Sequence, residues 1–345
     1  VGFSGIMPVP MATTQDFWNW VCGPDLMPEY LLLQLRSMRP EFQRITMGST
    51  HRTIYQPDAA TLRACLPPVA EQREIVNFLA HEAAKIDALI DIQRRLVDLL
   101  EEKRRSAISA AVTVRFSSST SRKVGIPGLA EVPEHWQVVE LKRVATIRTG
   151  VAKGKDHGAS ETVTVPYLRV ANVQDGYVDL QDVSTMEIPP GDVERFALRS
   201  GDVLMNEGGD NDKLGRGCVW RGEISPCIAQ NHVFAVRPHA LESEWVSLIA
   251  RSAYAQAYLL GRAKQSTNLA SISSTNLMNL PIVVPPASER AAILSHVGVI
   301  TAEADRIQRE TERGIALLRE RRSALVSAAV TGKIDVRNLA PATAA

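Results

Sequence analysis

The sequence predicts a molecule of α/β (α+β) class, in which mixed bodies are joined by two long α-helices packed as an antiparallel coiled coil. Three observations predict it. A polar helical stretch, "LLEEKRRSAISAAVT" at residues 99–113, returns as "LLRERRSALVSAAVT" at residues 317–331. Laying Leu66 on Val284 aligns 66–113 with 284–331 without a gap, and an internal repeat of that length sets the architecture before any local propensity does. Between the copies lie short alternating apolar runs separated by Gly and Asp turns, the pattern of strands in a mixed body.

Residues 1–65 come first in chain order, and their reading depends on a looser second match. "PEYLLLQLRS" (28–37) resembles "SEWVSLIARS" (243–252), and "MGSTHRTI" (47–54) resembles "KQSTNLASI" (264–272). The stretch 1–65 therefore reads as the C-terminal half of a body whose whole version occupies 124–283. Since the chain starts at Val1 inside that half, it reads as a fragment.

Residues 66–113 and 284–334 each read as one long helix. Pro67-Pro68 and Pro285-Pro286 block helix upstream, Ser288 is placed to cap the second copy, and Glu71, Glu74 and Glu289 sit where the helix dipole favours acids. Basic residues gather late, at Lys103 to Arg105 and at Arg321 and Arg322, and Gly332 offers a stop. About 41 residues at 1.5 Å each make a rod of about 60 Å. Steps of three and four trace a seam through Ile75, Leu79, Ile86, Leu89, Leu96 and Leu100 in one rod. In the other it runs through Ile293, Val297, Ile300, Ile307, Leu318 and Leu325. Large and small residues alternate between equivalent positions of the copies (Ile86 and Ala304, Leu96 and Gly314), so the two stripes are not interchangeable, and Gln93 and Thr311 share one polar stripe position that would fix register.

Residues 114–123 read as a polar flexible linker. The body at 124–283 opens with "VPEHWQVVELKRVATIRTG" and continues through "VPYLRVANV", "DGYVDL", "GDVLMNEGG" and "NHVFAVRP", with helices near its end. Residues 335–345 read as a disordered tail.

These residues together resemble a family. A body opening with Pro-Glu-x-Trp, the strand "YLRVANV", a closing "ST" turn, then "LPPVAEQ" or "VPPASER" leading into a long helix that ends "EKRRSAISAAVT", all of it doubled, resembles the DNA specificity subunit of type I restriction-modification systems. The resemblance implies two target-recognition domains, each reading half of a bipartite site in double-stranded DNA. The paired helices would set the spacing between them and dock two modification (methyltransferase) subunits, and restriction (translocase/nuclease) subunits would join the complex. It implies a cytoplasmic, non-catalytic chain with no membrane association, no cofactor and no metal. The front half of the first recognition domain is missing from the pattern.

Composition restricts the alternatives. Net charge is +1, and between residues 124 and 283 there are 15 Lys/Arg against 18 Asp/Glu, so specificity must come from a local cationic face rather than from a generally basic body. The four cysteines form no CxxC and no metal-ligand spacing, and no apolar run approaches the roughly 20 residues that span a bilayer. The proline pairs, "LPPVA", "IPPGD" and "VPPAS", lack the Asn/Asp-Pro-Pro-aromatic turn that holds a methylatable amine, and GxxxxGK[ST] is absent. Pro133-Glu134 with Glu140-Leu141-Lys142 is the nearest nuclease-like pattern. An autonomous nuclease or methyltransferase fragment, and a coiled-coil protein scaffold that binds no DNA, are the rival readings.

Candidate DNA contacts lie in polar, Gly-flanked segments of the second body. Lys153 and Lys155 in "TGVAKGKDHG" suit phosphate; Arg169 and Asn172 follow the "YLRVANV" strand. "MNEGGDNDKLGRGCVW" offers Asn206, Lys213 and Arg216, with four glycines (Gly208, Gly209, Gly215, Gly217) that would let the backbone approach a duplex. Lys264, Ser266 and Thr267 occupy the "KQSTN" turn.

Overall fold

The computed structural model describes residues 3–14, 16–46, 53–113, 120–152, 161–209, 214–265, 270–337 and 339. They form two compact units, residues 1–99 with 306–345 and residues 100–305. Two long helices, α4 (Val69–Thr113) and α9 (Ala287–Val330), contribute residues to both units. Each long helix starts directly after its Pro-Pro pair, so Ser288 lies inside the first turn rather than capping it. Past the C-terminus of α9, Gly332 adopts φ +70° and the Lys333 N–H returns to the Ala328 carbonyl at 2.9 Å, the stop the sequence predicts.

In the first unit a proline within the first two positions and an acidic residue in the first turn start each of α1 (Pro28–Ser37), α2 (Arg39–Ile45) and α3 (Gln56–Ala60). Tyr30, Ile75, Leu79, Ala329 and Val330 share one apolar core, and Leu35, Phe42 and Ile45 another. Gln34 is buried and donates through Nε2 to the Val330 carbonyl at 2.8 Å, satisfying an acceptor that the end of α9 leaves open.

The second unit begins with the hairpin β1 (Ser121–Ile126) and β2 (Leu129–Pro133). β3 (Gln137–Glu140) leads through a 3-10 turn to β4 (Ala145–Thr149), then β5 (Val163–Leu168), β6 (Ser184–Ile188), the helix α5 (Pro190–Phe196), β7 (Val203–Asn206), β8 (Gly208–Gly209), β9 (Gly217–Val219), β10 (Ile228–Ala229) and β11 (Val233–Pro238). Helices α6 (Ser243–Ala250) and α7 (Ala253–Arg262), the ribbon β12 (Lys264–Gln265) and β13 (Ala270–Ser271), α8 (Ser274–Met278) and β14 (Pro281–Val284) complete it. The central sheet runs β4-β11-β7-β9, all antiparallel; β10-β5-β6 and β12-β13-β8 are smaller three-stranded sheets, and β14 pairs with β3. One large core joins Trp136, Phe234, Trp245 and Tyr254 to Ile108, Val112, Ile293 and Val297 of the long helices.

The opening Pro-Glu-x-Trp motif anchors α9. Trp136 donates through Nε1 to Glu289 Oε2 at 2.9 Å, and His135 Nε2 lies 2.7 Å from Glu289 Oε1. Burial raises the Glu289 carboxyl, but these bonds outweigh it and hold the carboxyl below its usual 4.5. A depressed carboxylate stabilises the fold above its unfolded value, and that contribution disappears as pH falls through the folded one. Glu289→Gln is expected to cost about 1 to 2 kcal/mol at neutral pH. The gap from the wild type should close below about pH 4.5 in urea unfolding measured across pH, and a gap independent of pH would refute the assignment.

The repeat is visible in three dimensions. Helix α3 starts at Gln56 and α8 at Ser274, α4 at Val69 and α9 at Ala287, so both pairs keep the offset that relates Leu66 to Val284. Gln72 and Arg290, related by the same offset, do the same work. Gln72 Nε2 donates to the Pro67 carbonyl at 2.8 Å while its Oε1 accepts from Met27 N just before α1. Arg290 Nη1 donates to the Pro285 carbonyl at 2.7 Å while its fork grips Glu242 just before α6.

The helix pairing is antiparallel in each unit. In the first, Ile86 and Ile90 of α4 pack with Ile315 and Leu318 of α9, and Asp87 pairs with Arg322 at 3.1 Å. In the second, Arg104 pairs with Asp305. The residue numbers of both ion pairs sum to 409, and the repeat offset turns Asp87 into Asp305 and Arg104 into Arg322, so the repeat exchanges one pair for the other.

The seam departs from the predicted one at two positions. Ile75, Leu79, Ile86 and Leu100 are buried as expected, as are Ile293 and Val297, while Ile300, Ile307, Leu318 and Leu325 are half-buried. Leu89 and Leu96, however, are 47% and 37% exposed. Ile90 and Val97 face inward in their place, because the stripe advances as a straight helix does, through 75, 79, 86, 90, 93, 97, 100, 104, 108 and 111. Ten turns carry it from 75 to 111, an average of 3.6 residues a turn, although between 86 and 104 its alternating steps of four and three are those of a heptad. Thr311 is buried and donates its hydroxyl to the Ile307 carbonyl of its own helix at 2.8 Å, which satisfies it without a partner across the seam.

Candidate nucleic-acid interface

The cleft on the second unit brings several polar groups to one edge. β8 pairs with β13, and β13 with β12, so Gly208 and Gly209 lie against Ser271 and Ala270. A cleft of about 470 Å3 opens there, lined by Val170, Glu207, His232, Lys264 and Gln265 among others. Among the described residues, no hydrogen bond or ion pair engages the Lys264 ammonium or the Gln265 amide. Glu207 accepts from His232, with Nδ1 2.8 Å from Oε2.

The glycines of this region answer to internal packing. A Cβ on Gly208 would run into the Ala270 carbonyl and one on Gly217 into the Leu204 carbonyl. The small size of these two is required by neighbouring strands.

The expected contact residues divide. Lys153, Lys155, Lys213, Ser266 and Thr267 lie outside the described residues. Lys264 is exposed at the cleft. Asn172 is 3% exposed and its amide is committed: Oδ1 accepts from Arg169 N, and Nδ2 donates to the Asp179 and Asp182 carbonyls, each at 2.9 Å. It staples the turn after β5 and has no edge to offer a base. Asn206 is 1% exposed and donates to the Val173 carbonyl at 3.1 Å, so it too works inside the unit. Arg169 is engaged by Asp182 at 2.8 Å, which raises its guanidinium above the usual value, and its side chain is only partly exposed. Arg216 donates to Gln174 Oε1 at 3.1 Å. Sequence alone does not distinguish an amide that staples a turn after a buried strand from one presented at the surface.

Other charged groups are structural. Asp202 is 1% exposed and holds Arg237 through two bonds of 2.6 and 2.7 Å, raising the guanidinium further, and Arg251 holds Asp175 at 2.6 Å. In the nuclease-like pattern, Glu140 pairs with Lys142 at 2.9 Å and Glu134 accepts from Thr120 at 2.7 Å. No cluster of three or more metal-ligating side chains occurs among the described residues. Burial pushes the Cys218 and Cys227 thiols up to about 12, which keeps them unreactive. None of the described helices is long and apolar enough to cross a membrane.

Comparison with known proteins places this geometry. A family model described as the type I restriction modification DNA specificity domain matches residues 133–312. The chain is 20% identical over 306 residues to the type I restriction enzyme EcoKI specificity subunit of Escherichia coli (strain K12), covering 87% of this chain and 63% of that one. It is 23% identical over 319 residues to the type I restriction enzyme MjaVIII specificity subunit of Methanocaldococcus jannaschii, covering 90% and 71%. A solved structure from work on complex assembly and conformational transition of the type I R-M system shares the fold with TM-score 0.56 at 21% identity, covering 89% of this chain and 72% of that one. The chain spans 63%, 39% and 63% of the lengths of the first three curated relatives it matches.

Proposed function

Because the chain belongs to the type I restriction modification DNA specificity family, we propose that it is a non-catalytic, cytoplasmic subunit that reads double-stranded DNA and scaffolds a restriction-modification complex. Each recognition domain reads half of a bipartite site, the paired helices fix the spacing, and methylation and cleavage belong to two modification subunits and to restriction subunits. The observation that carries this reading is the repeat itself: Gln72 and Arg290 perform one task at equivalent places in two units, and the ion pairs of α4 and α9 exchange under the same shift. Residues 124–283 form the second recognition domain, between the helical segments 66–113 and 284–334. Residues 1–65 are the C-terminal half of the first. In the register that lays Pro28 on Ser243, Trp18 and Trp20 correspond to Val233 and Ala235. Both tryptophans are exposed, whereas Val233 and Ala235 lie buried in the central strand β11.

DNA contacts are assigned to Lys264 and to the segments carrying Lys153, Lys155, Lys213, Ser266 and Thr267. A docking surface for a modification subunit is supported by a second apolar stripe on α4. Leu89, Ile92, Leu96 and Leu99 are all exposed and spaced in steps of three, four and three, as a partner helix would require. The test is methylome sequencing of cells that carry the chain with a complete first domain and its partner subunits. Exchanging residues 124–283 for those of a relative should change one half-site and leave the other half-site and the methylated base type unaltered. Change in both half-sites, or in neither, refutes the proposal.

A further inference from the structure

We propose that the cleft beside β8 and the β12–β13 ribbon receives the major-groove edge of a base bearing an exocyclic amine, adenine or cytosine, with Glu207 as its acceptor and the specificity-determining residue. This rests on the DNA-reading function proposed above and assigns one of its contacts.

A carboxylate on a DNA-facing edge is repelled by the phosphates, so it belongs there only if it gains a hydrogen bond that the duplex can supply. In the major groove the donors are the adenine N6 and cytosine N4 amines, and guanine and thymine present only acceptors at the corresponding positions. Glu207 is held still for such a task. Its backbone N–H donates to the His232 carbonyl and its own carbonyl accepts from Ile272 N, each at 2.9 Å. His232 Nδ1 stands 2.8 Å from Glu207 Oε2, and Asn231 Nδ2 stands 3.4 Å from His232 Nε2. With Asn231 donating to Nε2, the imidazole carries its proton on Nδ1 and donates it to Oε2, leaving Oε1 as the open acceptor.

The neighbouring groups suit the rest of the base pair. Lys264 lines the same cleft and has no polar partner among the described residues, so its ammonium can offset the carboxylate and donate to an N7 or O6 acceptor. Lys264 and Gln265 lie on β12, the outer strand of the β12-β13-β8 sheet, so they stand at its edge beside the cleft. Nothing in the sequence singles out Glu207, because it lies in the "MNEGG" stretch where the amide and the nearby cations draw notice.

The experiment selects bound duplexes from a randomised half-site library with the full chain, comparing the wild type with Glu207→Ala, Glu207→Gln and Lys264→Ala at one salt concentration. The wild type should restrict one position to adenine or cytosine. Glu207→Ala should relax that position by roughly tenfold to a hundredfold toward guanine and thymine while leaving other positions unchanged, and, with a charge that the phosphates repel removed, it should not weaken binding to unrelated duplex. Glu207→Gln keeps a carbonyl acceptor and should retain an intermediate preference. An unchanged base preference in Glu207→Ala, or uniform weakening on all sequences, overturns the assignment while the DNA-reading function stands. A wild-type chain with no preference at any position removes both.

Discussion

Ile86→Asp should unfold the helix pair while Leu89→Asp leaves it standing. The two residues are three apart on α4 and both are large and apolar, but Ile86 is 4% exposed and Leu89 is 47% exposed. Ile86 packs with Ile90 and Ile315 and against Leu318, and a carboxylate among them has no hydrogen-bond partner to replace water. The expected cost is about 3 to 5 kcal/mol. Leu89→Asp introduces the same charge into solvent and should cost about 0.5 kcal/mol, the difference in helix propensity. The order reverses for assembly: Leu89→Asp with Leu96→Asp should abolish binding of a modification subunit while lowering the melting temperature by only about 2 to 4 °C. Far-UV circular dichroism during melting and a pull-down of the partner separate the two effects, and equal destabilisation by both single variants would place Leu89 back in the seam.

This contrast shows what was legible in the sequence. The repeat located both long helices closely, since the Pro-Pro pairs, the dipole-favoured acids and Gly332 are local signals that tertiary structure did not override. The choice of buried stripe was less legible, because α4 carries two apolar stripes that merge in the sequence. The exposed one has heptad spacing over Leu89, Ile92, Leu96 and Leu99, and the buried one has the same spacing over 86, 90, 93, 97, 100 and 104, one residue further along than a heptad continued from 75 and 79 would place it. A heptad template selects the wrong residues wherever the two stripes adjoin. The recognition site was legible as segments but not as side chains. Lys264 lines the cleft, but Asn172 and Asn206 are spent on carbonyls of neighbouring turns, and Gly208 and Gly217 answer to cross-strand carbonyls. Those partners exist only once the sheets have formed.

Lengthening one long helix should destabilise the protein, and lengthening both should restore it. The two ion pairs, Asp87 with Arg322 and Arg104 with Asp305, obey one antiparallel register, with paired numbers summing to 409. The midpoint of that register falls between residues 95 and 96 of α4 and between residues 313 and 314 of α9. Duplicating the segment 89–95 lengthens α4 by two heptad-like turns, about 10 Å of rise and about 20° short of two full turns, so the buried stripe continues through the insert. With α9 unaltered, the register can then be kept by Ile75, Leu79 and Ile86 in one unit or by Ile108 and Val112 in the other, but not by both. Whichever set yields leaves apolar side chains facing water, at an expected cost of several kcal/mol. Duplicating the segment 307–313 in α9 as well shifts both partners equally and returns every pair on either side to its opposite, so stability should come back to within about 1 kcal/mol, the range of surface and propensity effects. The ion pairs themselves contribute little to this difference, since Asp87 and Arg322 are each nearly half exposed. Urea unfolding of the two single duplications and the double one decides the matter. If the double duplication is no more stable than the singles, the two helices are not held by a shared register.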